Sequence, residues 1–218
     1  MVHETEQETV EALKRWWQQN GSALIAGLAI GLAGVFGWQY WQTHQRSQSE
    51  AAAVLYQDLQ ARLGDAAAGP VDGVFDRLRD DYSDSAYAAL AGLAVASEAV
   101  EAGALERAEE ALRWVVEHAN LPELAQVARL RLARVLRARD LGEEALAQLD
   151  ALQGGFRAEA LEIRGDIMRE RGELAAARQA YEESLAAYNA EGRPNRWVRL
   201  KLQDLASPQG IDSGEEEP

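Results

Sequence analysis

Few side chains in this sequence could do covalent or metal chemistry, and their spacing gathers none of them into a working set. The three histidines, His3, His44 and His118, are far apart and form no metal-ligand pattern. Cysteine is absent, which excludes a CxxC redox pair, Cys-ligated zinc and a thiol nucleophile. It leaves an oxidising compartment open, because a core can suffice without disulfide staples. No phosphate loop, GxGxxG or GxSxG occurs. Carboxylates are abundant, but with no partners to give them acid, base or nucleophile roles they read as solvating or ion-pairing groups. The expectation is a non-enzymatic chain with no catalytic residues, no metal and no cofactor.

What remains is recognition chemistry. Arg129, Arg131, Arg134, Arg137 and Arg139 share one stretch of a chain whose formal net charge is −14. The acidic balance repels phosphate backbones, so nucleic acid is not an expected partner. If the stretch belongs to a helical repeat, Val127, Leu130, Arg134 and Arg137 fall on the inner face of the stack. Leu90, Leu93 and Ser97 would start that face, and Glu159, Glu162, Asp166 and Arg169 would continue it. The groove would then run apolar, basic and acidic, suited to an extended peptide or a partner's acidic segment. The competing reading is that these arginines pair with glutamates on the next repeat, and the routine occurrence of such pairs favours it.

Composition says which elements must position these residues. Apolar residues are 47% of the chain, with alanine and leucine dominant and β-branched residues sparse. Ala and Leu lose little freedom in a helix, so the expected fold class is all-α. From Ser83-Asp84-Ser85, which offers an N-cap before Ala86, the chain repeats. Gly103, Asp140 and Gly172 each supply a turn residue. An alanine follows five residues later, at Ala108, Ala145 and Ala177, and a large apolar residue four beyond that, at Leu112, Leu149 and Tyr181. The alanines are 37 and 32 residues apart, which brackets the tetratricopeptide period of about 34. The alanine sits where paired helices cross closely, and the large residue fills the same face one turn on. Leu161, Gly165 and Met168 extend the match in the third unit. A tetratricopeptide-like α-solenoid of helix pairs is expected, capped by a last helix over about Arg196 to Leu205.

The N-terminal region reads differently. No formal charge occurs from Trp16 through Gln45. Asn20 to Trp41, as a helix rising about 1.5 Å per residue, spans roughly 33 Å, close to a hydrocarbon core of about 30 Å. Trp16 and Trp17 precede it, and Trp38, Tyr40 and Trp41 follow it, as interfacial aromatic anchors would. A buried core helix is the bland alternative. A cleaved signal peptide would need small residues after the apolar stretch, where this chain has bulky ones, and a leader less acidic than Glu4, Glu6, Glu8 and Glu11 make this one. A single uncleaved transmembrane helix is expected. Lys14 and Arg15 before it, against Arg46 after it, place the N-terminus in the cytoplasm.

Within the span, Gly27 and Gly31 form a GxxxG pair, Ala23 extends the stripe one turn earlier, and Gly34 is offset. Small residues allow close helix approach in lipid, although glycine is also simply common in spans. The expected organisation is a cytoplasmic segment over 1–19, the span over 20–41, a helical linker and turn over 42–73, the repeat domain over 74–206 and a disordered acidic tail over 207–218.

Several runs together resemble the YfgM family, the ancillary subunits of the SecYEG translocon of Gram-negative bacteria. They are Glu8-Thr9-Val10-Glu11-Ala12-Leu13-Lys14-Arg15-Trp16-Trp17, Asn20-Gly21, Gly37-Trp38-Gln39-Tyr40-Trp41, His44-Gln45, Leu130-Arg131-Leu132-Ala133-Arg134-Val135 and Arg164-Gly165-Asp166. The resemblance covers nearly the whole length and departs at the acidic tail. It implies a single-pass inner-membrane protein with a periplasmic tetratricopeptide-like domain. It also implies association with SecYEG and with the periplasmic chaperone PpiD, and transfer of translocating unfolded polypeptides to periplasmic chaperones. A cytoplasmic link to the Rcs response regulator is implied as well. The alternative is a membrane-anchored scaffold for another envelope complex, such as cytochrome c maturation. Handling haem predicts ligating histidines, and the repeat region contains only His118. A periplasmic peptidase would lack any catalytic set.

Overall fold

The computed structural model describes residues 3–64, 69–152 and 155–206, with the side chains of residues 3–13, 15 and 22–24 outside the description. Regular structure among these residues is entirely α-helical. The elements are α1 (His3–Gly64), α2 (Asp72–Asp81), α3 (Ala86–Glu101), α4 (Leu105–His118), α5 (Pro122–Ala138), α6 (Gly142–Asp150), α7 (Arg157–Glu170), α8 (Leu174–Ala190) and α9 (Arg196–Ala206). The chain divides into two units, residues 1–51 and 52–218. The expected disorder of residues 207–218 falls outside the described residues.

In the first unit the side chains of residues 25–50 are exposed. They include Ile25, Leu28, Ile30, Leu32, Val35 and Phe36. All the expected aromatic anchors are exposed too: Trp16, Trp17, Trp38, Tyr40 and Trp41. A Cβ added at Gly27, Gly31 or Gly34 would meet nothing within 4 Å, so no contact among the described residues requires those glycines. The side chain of Ala23 lies outside the described residues. Among the described residues, no helix is long and apolar enough to cross a membrane. Ser22, Ala23 and Leu24 of the 20–41 stretch are not among the described side chains.

The second unit is built from helix pairs, α3 with α4, α5 with α6 and α7 with α8, each helix packing on the next. The last turns of α1 join it, with Ala52 and Leu59 fully buried in the main core. Ser85 caps α3, its hydroxyl accepting from the Tyr87 amide at 3.2 Å. Asn195 caps α9, its side-chain oxygen accepting from the Trp197 and Val198 amides at 2.9 and 3.3 Å.

The turns between paired helices are one motif repeated. Gly103, Asp140 and Gly172 all have positive φ, at 74°, 65° and 78°. Around each, the next residue's amide reaches back five residues: Ala104 to Ala99, Leu141 to Leu136 and Glu173 to Met168, at 2.8 to 2.9 Å. The turn residue's own amide reaches back three, to Val100, Arg137 and Arg169. This double closure satisfies the terminal carbonyls of the first helix and requires a left-handed residue. Glycine adopts that conformation freely, whereas Asp140 carries a Cβ there at some cost.

Five residues past each turn, Ala108, Ala145 and Ala177 are fully buried, and Leu112, Leu149 and Tyr181 four beyond are buried too. The crossing is close in the third pair, where a Cβ on Gly165 would lie 2.5 Å from the Tyr181 ring. Between α3 and α4, a Cβ on Gly92 would lie 2.4 Å from Val115 Cγ2. A smaller core of Ala158, Ala177, Tyr181, Tyr188 and Val198 ties α9 to the third pair.

Candidate functional site

An open groove of about 500 Å³ lies between the end of α1, α3 and α5. Its apolar floor is Leu63, Leu90, Leu93 and Ala94, with Tyr56, Gln60 and Ser97 supplying polar groups. Arg131 enters from α5 and donates from Nη1 to the Leu93 carbonyl at 3.3 Å. On α3, Glu98 is held by Arg107 of α4, which also bonds Asp72 at 2.8 Å. Burial opposes the charge of Arg107, but Glu98 and Asp72 outweigh it and hold its guanidinium above the ordinary range. The groove can accept an extended apolar segment with polar groups on its edge.

The side chains of Leu90, Leu93 and Ser97 are thus brought together as the inner-face mapping predicts, but with Arg131 as their cation. Val127 is half-buried against the core and Leu130 is buried in it. Arg134 is exposed, with no ion pair among the described residues. Contributions from Tyr56, Gln60 and Leu63 were missed. The signal for them was the helical run Ala52, Leu55, Leu59, Leu63, which carries α1 into the repeat unit and brings Tyr56 onto its packed side.

The acidic part of the predicted groove has another arrangement. Arg137 of α5 pairs with Asp166 of α7 and lies 3.5 Å from Glu170. Asp166 accepts from the Tyr181 hydroxyl at 2.7 Å and from Lys201 Nζ of α9 at 2.7 Å. Glu162 accepts from Lys201 at 2.8 Å, from the Tyr188 hydroxyl at 3.1 Å and from Asn195 at 3.4 Å. Glu159 pairs with Arg193, while Arg169 is 3.9 Å from Asp204. These carboxylates therefore tie α9 and α5 to α7.

Arg139 likewise pairs back to Glu106 and Glu109 of α4, and Arg129 bonds Gln148. Burial disfavours the Asp166 charge, but the bonds from Lys201 and Tyr181 and the nearby charge of Arg137 prevail and lower its pKa. Burial, with the charges of Glu162 and Glu159, pushes the Tyr188 hydroxyl up to about 12. Among the described residues no group of histidine and carboxylate side chains is placed to hold a metal ion.

The chain matches known proteins along most of its length. A family model described as a tetratricopeptide repeat-like domain covers residues 14–207. A protein of Escherichia coli named ancillary SecYEG translocon subunit is 30% identical over 208 residues, which cover 94% of this chain and 98% of that one. The chain belongs to the ancillary SecYEG translocon subunit family. Members of that name from Haemophilus influenzae and Neisseria gonorrhoeae are 29% and 27% identical, covering 92% and 94% of this chain and 97% and 99% of their own. No solved structure matches the chain. The family match and the packed helix pairs agree on an all-α, tetratricopeptide-like repeat architecture.

Proposed function

We propose that this chain is a non-enzymatic, membrane-anchored scaffold of the protein-translocation machinery. Residues 20–41 cross the inner membrane with the N-terminus in the cytoplasm, and the repeat domain stands on the periplasmic side. One observation carries the reading: similarity to ancillary SecYEG translocon subunits spans 94% of the chain, taking in the N-terminal helix and the repeats together. A match to the repeats alone would speak only for a fold.

The first unit supports it physically. Its exposed Ile25 to Phe36 run would be satisfied by hydrocarbon, with Trp16, Trp17, Trp38, Tyr40 and Trp41 at the two interfaces. Ala23, Gly27, Gly31 and Gly34 would form the surface that docks beside another membrane helix. In the repeat unit, the groove of Leu90, Leu93, Ser97 and Arg131 would receive extended segments of translocated chains on their way to periplasmic chaperones such as PpiD.

The test is brief crosslinking in membranes, purification of the tagged full-length protein in mild detergent and identification of what accompanies it. Recovery of SecY with a periplasmic chaperone is expected, and replacing Gly27 and Gly31 with Ile should reduce the SecY share. Recovery of neither, with an intact translocon verified in the same membranes, would overturn the proposal.

A further inference from the structure

A second cavity, of about 220 Å³, lies between α2 and α4 and is smaller and more enclosed than the groove. Its floor is apolar and buried: Phe75 of α2, Val95 of α3 and Ala111 of α4. Val95 points away from the Leu90, Leu93 and Ser97 stripe that lines the groove. Trp114 forms a half-buried wall, its ring 5.7 Å from Phe75 and set edge to face with it. The Trp114 ring also stacks on His118 at 5.0 Å, which takes one of its faces and leaves the rest of the ring to the cavity. Glu110 lines the cavity from one turn before Trp114, on the same side of α4.

The charges at the rim are unequally matched. Arg79 lies 3.1 Å from Asp76 and 3.2 Å from Asp80. Arg107 lies 2.8 Å from Asp72 and pairs with Glu98. Each of the cavity's own cations is thus held by two carboxylates. Glu110 is exposed and has no hydrogen bond or ion pair among the described residues. An aromatic wall with an unengaged carboxylate one helical turn away matches a flat cation. A guanidinium stacks on an indole through its face and bonds a carboxylate through its edge, whereas an ammonium acts only as a point charge. The formal charge of −14 favours positive ligands over negative ones. The volume admits one long side chain, whose methylene stem would lie against Phe75, Val95 and Ala111.

We propose that the cavity between α2 and α4 binds the arginine side chain of a partner polypeptide, its guanidinium on the Trp114 ring and paired with Glu110. The site shares no lining side chain with the groove of α1, α3 and α5, so it is independent of what that groove receives.

Fluorine resonances make the contact directly measurable. The chain has six tryptophans, and 5-fluorotryptophan incorporated into the full-length protein in detergent gives each its own signal. Trp114→Phe assigns that of Trp114. The probe is the peptide acetyl-Gly-Arg-Gly-amide, with citrulline in place of arginine as its neutral isostere. The arginine peptide should move the Trp114 resonance saturably, with a dissociation constant on the order of millimolar, and leave the other resonances in place. Glu110→Gln should weaken this binding severalfold. Glu123→Gln, which removes an exposed carboxylate of α5 outside the cavity, should leave it unchanged. Glu110 is exposed, so the fold is expected to persist, and an unchanged melting curve checks this. A Trp114 resonance that does not move, an equal response to the citrulline peptide, a shift that Glu110→Gln leaves intact, or one shared by the other tryptophans would overturn the proposal.

Discussion

Two helical stretches of this molecule, residues 25–36 in α1 and 130–136 in α5, are similarly rich in apolar side chains and treat them in opposite ways. In the first, Ile25, Leu28, Ile30, Leu32, Val35 and Phe36 are exposed. In the second, Leu130, Leu132, Ala133, Val135 and Leu136 are buried between α3, α4, α6 and α7, while Arg131 and Arg134 face outward. The backbone hydrogen bonds of a helix satisfy its peptide groups whatever surrounds it. Its apolar side chains are satisfied only by a second surface. The repeat unit supplies that surface from its own neighbouring helices, and the N-terminal unit leaves it to its surroundings. Their charges divide in the same way, since every ionised residue among 16–45 is missing, whereas α5 alternates apolar and basic positions.

The contrast can be broken most forcefully by truncation on both sides. Leu136→Ala, in the main core, should cost about 2 to 5 kcal/mol, because the lost transfer energy adds to an unfilled cavity. Phe36→Ala should leave thermal unfolding of the repeat unit unchanged. Equal losses from both would show that the two stretches share one core. Glycine substitution is the next test. Gly165→Ala drives a Cβ into the Tyr181 ring and should cost roughly 1 to 3 kcal/mol in a urea titration. Gly27→Ala meets open space and should not lower the repeat unit's midpoint.

Acid sharpens the comparison further. Asp166 has a lowered folded-state pKa, so its contribution is fully present above the unfolded value of about 3.9 and is lost as pH falls through the folded pKa. Stability of the repeat unit should therefore decline across that acidic window. Asp166→Asn should flatten the decline while reducing stability at neutral pH. An unchanged pH slope in the variant would remove Asp166 from the account. The smallest effect expected is a gain. Asp140→Gly relieves a left-handed residue and should stabilise the repeat unit by about 0.5 to 1 kcal/mol, read as a rise in Tm.

Much of the repeat fold was legible because its determinants are local. Gly103, Asp140 and Gly172 close the helices they were expected to close, and Ala108, Ala145 and Ala177 are buried where paired helices meet. Ser85 caps α3 from the stretch expected to cap it. The candidate site was less legible. Assigning Arg134 to the inner face with Leu90 and Leu93 followed from repeat register, yet Arg131 is the residue that bonds the Leu93 carbonyl. The two lie about 60° apart around α5, three residues at about 100° each, and the helix's rotation follows the burial of Leu130 and Leu132. Glu162 and Asp166 looked available for a ligand because nothing local announced that Lys201, 35 residues beyond Asp166, would fold against them.

Residue order by itself determined the all-α class, the repeat, its turn residues and an uncharged apolar stretch flanked by aromatics. Each depends on propensities and spacings that act within a few turns of helix. Only the tertiary structure decided which charges meet, that the end of α1 lines a groove with α3, and that α9 seals the acidic face of α7 while turning Trp197 outward. Those outcomes depend on helix rotation and crossing, which side chains far apart in the chain settle together by filling one shared volume.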